Sequence, residues 1–275
     1  MTRLNSRSRF GCARGLTYIE VLVVIVLIVV AIAFLLPSTS RTKHGDSRVR
    51  CSSNLRQIGQ AILLYSNDQR GGAFPRTRAS APDENPIPTW GTNPAATQPF
   101  KEDGPAENDV TAALFLLLRT QDITSEVFTC PNSDAEKDNY AGKTPIERSN
   151  FTDVKKNLSY SYQNPYPNKD AIGKGFKLNN TLGAEFAIAA DICGGTPQKL
   201  SEVTSTSSAN DMRQVNSPNH DRDGQNILYG DGHVAWESNP FVGTNRDNIY
   251  TTSDGKIVAS PVDANDSILL PPPNP

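Results

Sequence analysis

His220, Asp221, Asp223, Asp231 and His233 fall within 14 residues of chain, a dense gathering of side chains able to bind a cation or move a proton. Asp221, Asp223 and Asn226 carry the oxygen donors that calcium takes, so a calcium site is one expectation here. Aspartate and glycine also dominate ordinary turns. Two runs, Asn226–Tyr229 and His233–Trp236, flank Gly230-Asp231-Gly232. They read as a hairpin whose glycines supply positive φ. No G-x-S-x-G elbow, phosphate-binding loop or supported Cys–His pair accompanies the cluster, so nucleophilic and phosphoryl-transfer chemistry lack their usual parts. The expectation is a non-enzyme with no catalytic residues and no cofactor other than calcium.

Glu20 is the second chemically loaded residue. From Leu16 to Leu36, 19 of 21 residues are apolar or Tyr, the exceptions being Thr17 and Glu20. Twenty-one helical residues rise about 31 Å, the thickness of a bilayer core. Arg3, Arg7, Arg9 and Arg14 precede the run with no acidic residue among them, which orients the N-terminus to the cytoplasm. A cleaved secretory signal fits poorly, because the run is long and ends in Phe34-Leu35-Leu36-Pro37 without a small-residue cleavage site. A plain anchor fits the length and leaves Glu20 unexplained, since a carboxylate within an apolar segment is costly.

Arg14-Gly15-Leu16-Thr17-Tyr18-Ile19-Glu20 closely resembles the processing site of type IV prepilins and type II secretion pseudopilins. The resemblance implies cleavage after Gly15 by a prepilin peptidase and methyltransferase, with Leu16 as the N-methylated terminus. It makes Glu20 the fifth residue of the mature chain, where that family uses its glutamate to meet the N-terminal amine of a neighbouring subunit. It places Pro37 where many pilins kink. Loss of the four leader arginines takes the formal charge from −2 to −6. The implied setting is the inner membrane, single-pass, with the C-terminal bulk periplasmic or in an extracytoplasmic pseudopilus. The implied partners are other pilin-like subunits, met through the N-terminal helix.

Elements that would position these residues can be read from period and punctuation. Cys51, Leu55, Ile58, Ile62 and Tyr65 recur at helical spacing, one apolar stripe on a helix from about residue 47 to 65. Cys51-Ser-Ser-Asn-Leu-Arg-Gln-Ile-Gly-Gln-Ala61 resembles the segment after the anchor in a prepilin-like family marked by a C-terminal H-x(9)-D-G signature. His220, Asp231 and Gly232 are the matching residues here, with ten residues between His220 and Asp231. The extra residue predicts an enlarged turn or bulge near Asp223-Gly224. The same resemblance favours a Cys51–Cys130 disulfide, while Cys130–Cys193 stays open. Cys12 leaves with the leader.

Seven prolines between Phe74 and Pro105 predict a long excursion without regular elements, anchored by Trp90 and Phe100. Asp109 to Arg119 reads as a buried helix with Asp109 at its N-cap. Strands are expected at 126–131, 157–162 and 185–191, and a second hairpin at 251–258. Residues 201–210 read as a loop, and the proline-rich end at 271–275 as an extended, disordered tail.

The chain has 275 residues, with 27 Lys+Arg against 29 Asp+Glu and a net charge of −2. That balance gives no support to whole-chain electrostatic nucleic-acid binding, which needs a basic footprint. The expected fold is α+β and pilin-like. A long N-terminal helix, transmembrane in its first half, packs on an antiparallel sheet and carries loop insertions. The expected divisions are a leader at 1–15, a transmembrane or filament-core helix at 16–36, its amphipathic continuation at 37–70, and a β domain at 71–275.

Overall fold

Thr17 and Glu20 set the start of the first helix. Thr17 Oγ1 accepts from the Glu20 N–H at 3.4 Å, while Glu20 Oε2 accepts from the Thr17 N–H at 2.8 Å and its hydroxyl at 3.0 Å. This reciprocal capping satisfies N–H groups that have no partner within the helix. Helix α1, Tyr18–Leu35, follows. The computed structural model describes residues 17–35, 39–81 and 85–272, in two compact units, 1–43 and 44–275.

Helix α2, Thr39–Asn67, runs into the second unit. There Cys51, Leu55, Ile58, Ile62 and Tyr65 are all buried, as their spacing predicts. At Gly59 the helix backbone comes so close to the sheet that a Cβ would lie 2.8 Å from Leu228 Cδ1. Glycine there permits the close approach.

The expectation of one long N-terminal helix with a membrane-spanning first half is overturned. Among the described residues no helix is long and apolar enough to cross a membrane. Length and apolarity are divided between two elements. Helix α1 is apolar but has 18 residues, a rise of about 27 Å against a core of about 30 Å. Helix α2 has 29 residues but a polar sequence, with Arg41, Lys43, Asp46, Arg48 and Arg50 in its first half.

The sheet is antiparallel and five-stranded. Its strands are β1 (Tyr160–Gln163), β2 (Ala187–Asp191), β3 (Gln225–Tyr229), β4 (Val234–Glu237) and β5 (Leu269–Leu270). The spatial order is β4-β3-β2-β1-β5. Side chains alternate between two apolar clusters, as the two-residue period of a strand requires. Ile188, Leu228 and Leu270 join the cluster holding the α2 stripe. Ala187, Ile227, Tyr229 and Leu269 join the cluster on the opposite face. A register shift between Ala187 and Ala189 puts Ile188 and Ala189 on the same side. Both faces of the central strands are therefore covered, which explains why they read as continuous apolar runs.

Helix α3, Val110–Thr120, is buried from Val110 through Leu118. Asp109 caps it as expected and does more. Its Oδ1 accepts from the Ala112 N–H (2.8 Å) and Thr111 hydroxyl (2.9 Å). Its Oδ2 accepts from the Thr92 N–H (2.9 Å), Thr92 hydroxyl (2.6 Å) and Asn150 Nδ2 (3.0 Å). One fully buried carboxylate thus ties the proline-rich excursion to the core. Phe100 is not an anchor, being 59% exposed; Phe74 and Pro75 are buried instead.

Short helices fill the connections: α4 (Val154–Asn157), α5 (Lys169–Gly173), α6 (Pro197–Glu202) and α7 (Ala209–Val215). Asp153, Asn168, Thr196 and Ser208 cap them in turn. The expected loop at 201–210 is therefore narrowed to 203–208, its ends belonging to α6 and α7. Leu200, Met212 and Val215 seal the second apolar cluster. The strand expected at 126–131 is instead a 3-10 turn, Ser125–Phe128, closed by the Thr129 N–H and hydroxyl onto the Glu126 carbonyl. The 251–258 stretch turns at Gly255 (φ 82°) without forming strands. Leu269–Leu270 forms β5 against β1, and Pro271 and Pro272, the first residues of the expected tail, are buried; the rest of that tail, 273–275, lies outside the described residues.

Candidate functional site

Two regions carry the residues singled out above. Gly15, Leu16 and Pro37 lie outside the described residues. Glu20 is described. It sits in the first turn of α1, where its carboxylate serves the helix cap. That role was legible in Thr17-x-x-Glu20, a capping-box spacing, and passed unremarked beside the processing motif. Every described side chain from Thr17 to Ile32 is exposed, the large apolar ones from 44% at Val21 to 85% at Tyr18. Apolar residues occupy the whole circumference, so no face of α1 is suited to water.

In the second unit the predicted hairpin is present. Strands β3 and β4 pair from Gln225↔Glu237 to Leu228↔Val234. Of its two turn glycines only Gly232 has positive φ (88°). Asp231 Oδ1 accepts from the His233 N–H at 3.0 Å and lies 2.5 Å from His233 Nδ1. These bonds hold the Asp231 carboxyl below its usual range. His233 stacks on Tyr229 with centroids 4.5 Å apart. The turn is thus closed by its own side chains, at the surface.

His220 belongs to a different environment. It ends the 3-10 turn Pro218–His220, followed by Asp221 and Arg222 with φ of 54° and 62°. Asn219 fixes the turn on both sides. Its Nδ2 donates to the Ser159 carbonyl at 3.0 Å, and its own carbonyl accepts from Asn132 Nδ2 at 2.7 Å. His220 is thereby buried, 3.0 Å by Nε2 from Oδ2 of the fully buried Asp191 at the end of β2. The same Oδ2 accepts from the Asn226 N–H (2.7 Å) and Nδ2 (3.0 Å). Asp191 Oδ1 is buried without a hydrogen-bond partner. Trp236 packs edge-on against His220 with centroids 5.3 Å apart, and the Arg48 guanidinium lies 3.5 Å over the Trp236 ring.

Burial, then the Asp191 charge, pushes the Tyr160 phenol well above its ordinary value. Burial, then Cys193 and Asp191, does the same at Tyr250, whose hydroxyl donates to the Asp191 carbonyl at 2.7 Å.

The three expected calcium ligands differ in surroundings. Asn226 turns its amide inward to Asp191 and His220. Asp221 and Asp223 are exposed, with Asp223 paired to Arg213 at 2.9 Å. The expected disulfide forms between Cys51 and Cys130, with Cα atoms 5.5 Å apart. Cys193 is free and buried, its thiol pushed up to about 12 by burial.

Cys51, Cys130, Asp191 and His220 each contribute one ligand atom to a buried group in which those atoms all lie within 4.8 Å of one another. In the sequence Asp191 is only the end of an expected strand. Its meeting with His220 joins residues 29 apart in sequence through the pairing of β2 with β3, and no local pattern announces it.

A separate cavity of about 400 Å³ opens between the start of the proline-rich excursion and the segment after β1. Phe74, Tyr166, Ile172, Phe176 and Leu178 line it, with Arg76 and Asn108 as polar members.

No family model, characterised protein or solved structure matches this chain.

Proposed function

We propose that this chain is a prepilin-like structural subunit of a type II secretion or type IV pilus-like assembly, cleaved after Gly15, N-methylated at Leu16, and joined to like subunits through α1. The observation carrying this reading is α1 itself. An exposed helix, apolar on every side, with a single carboxylate in its first turn, has to be covered. Helices of the same kind cover it most economically, and about 25 cal/mol is gained per Å² of apolar surface removed from water. Glu20 then supplies the polar element that sets register. A featureless apolar helix can slide along its neighbour, whereas a carboxylate held next to a neighbouring N-terminal amine fixes one axial offset. In this reading the prepilin peptidase and methyltransferase act on the leader. The second unit faces the extracytoplasmic side of the inner membrane or the exterior of a pseudopilus.

Substitution at Glu20 separates its two roles. Glu20→Gln keeps a capping-box acceptor and removes the charge, whereas Glu20→Val removes both. Both variants are expected to be processed, and both are expected to be depleted from sheared or sedimented assemblies. Wild-type incorporation of Glu20→Gln together with loss of Glu20→Val would reduce Glu20 to a helix cap and refute the register argument.

A second reading has one observation behind it. The 400 Å³ apolar cavity suits a small ligand, as in a prepilin-processed binding module that does not enter a filament. Normal incorporation of a cavity-filling Ile172→Trp variant would leave the subunit reading intact. Loss of a bound apolar molecule from the purified chain would favour the module.

A further inference from the structure

The buried group formed by Cys51, Cys130, Asp191 and His220 lies outside the proposed assembly function. Four different parts of the fold build it: α2, the segment after the 3-10 turn at 125–128, the end of β2, and the turn before β3. All four side chains are buried. Four donors held around a tetrahedral zinc ion at about 2.0–2.3 Å sit roughly 3.3–3.8 Å from one another. A cluster whose donor atoms are all within 4.8 Å of one another needs shifts of about an ångström to close on such an ion. Two sulfurs, one imidazole and one carboxylate form a set that selects zinc over calcium or magnesium. The second buried oxygen of Asp191, which has no hydrogen-bond partner, gives an independent sign that this centre is not satisfied by the protein alone.

We propose that these four residues form a zinc site that is open when the Cys51–Cys130 bond is reduced and closed when it is oxidised. A dithiol reductant supplies two electrons and two protons. The Cys51–Cys130 bond breaks into two thiols, and the reductant leaves as its own disulfide. Zinc then displaces the two thiol protons and takes both thiolates, His220 and Asp191. Reoxidation by a disulfide-bearing oxidant restores the bridge, cleaves the oxidant's own disulfide to two thiolates that take protons from solvent, and expels the ion. Two thiolates and a carboxylate leave the occupied centre at net charge −1. Asn226, which already donates to Asp191, and Arg48, which covers Trp236 beside His220, offset that charge.

The full chain, reduced with a phosphine under argon and titrated with cobalt(II), tests this. One equivalent is expected to bind with tetrahedral d–d bands and a thiolate-to-cobalt charge-transfer band, and zinc should erase both. The oxidised chain should bind none. A disulfide oxidant should release bound zinc to a chromophoric chelator. His220→Gln should weaken binding, and Cys51→Ser with Cys130→Ser should abolish the charge-transfer band. A reduced wild-type chain that stays folded by circular dichroism and takes up no cobalt overturns the proposal. If reduction unfolds the apo chain, zinc present during reduction should preserve the fold, and failure to do so overturns it equally. Unchanged uptake by the double serine variant would place the metal elsewhere and also refute this site.

Discussion

Reduction of the Cys51–Cys130 bridge is expected to destabilise the second unit by about 4.5 kcal/mol at 25 °C. The figure follows from the sequence separation of 79 residues, because a cross-link restrains the unfolded chain by a loop-closure entropy that grows with the logarithm of the loop. The bridge encloses the second half of α2, the proline-rich excursion and all of α3, so the reduced chain regains freedom over the least regular part of the fold. At about 2–4 °C per kcal/mol for a unit of this size, the melting temperature should fall by about 9–18 °C. Scanning calorimetry of the full chain with and without a phosphine reductant, in the presence of a chelator, measures the difference. Reduction leaves the sulfur atoms in place, so no cavity is created. A shift below about 3 °C, with thiol titration confirming reduction, would refute the reasoning.

Asp109→Ala strands five donors that converge on one buried carboxylate and should destabilise by about 3–5 kcal/mol. Urea denaturation checks this, and a loss under about 1 kcal/mol would show the network to be dispensable. Asp247 and Asp266 are both raised to about 7, chiefly by burial. Between about pH 4 and pH 7 the folded chain therefore keeps protons that the unfolded chain has released, and stability contributed by this pair falls as pH rises through that window. Asp266→Asn should flatten the fall; parallel stability curves for wild type and variant from pH 4 to 7 would contradict the assignment.

Much of this fold was readable where one local rule dominates. The α2 stripe is a helical period that tertiary packing left intact, and all five of its residues are buried. Helix α3 has an apolar run behind an aspartate cap, and the β3–β4 hairpin has a Gly-Asp-Gly turn between two short runs. Reading failed where partners are remote or elements brief. Strand β5 has two residues and pairs with β1 more than a hundred positions earlier, so no local period announces it. Val127 and Phe128 favour a strand by type, yet the Glu126 carbonyl is taken by Thr129 and a 3-10 turn results. The apolar run suggests one spanning helix, whereas the described part of it, α1, has 18 residues and the described helix that follows is polar. At the candidate site, His220 and Asn226 drew notice for their oxygen- and nitrogen-bearing neighbours, but burial sorted them apart from Asp221 and Asp223 and gave them Asp191 instead.

The central claim, that this is a processed prepilin-like subunit, is met most directly by the intact mass and N-terminal sequence of the protein recovered from native membranes. The account predicts a chain beginning at N-methylated Leu16, with Glu20 as its fifth residue. A chain still carrying Gly15 and the four leader arginines, from cells with an active prepilin peptidase, would contradict it.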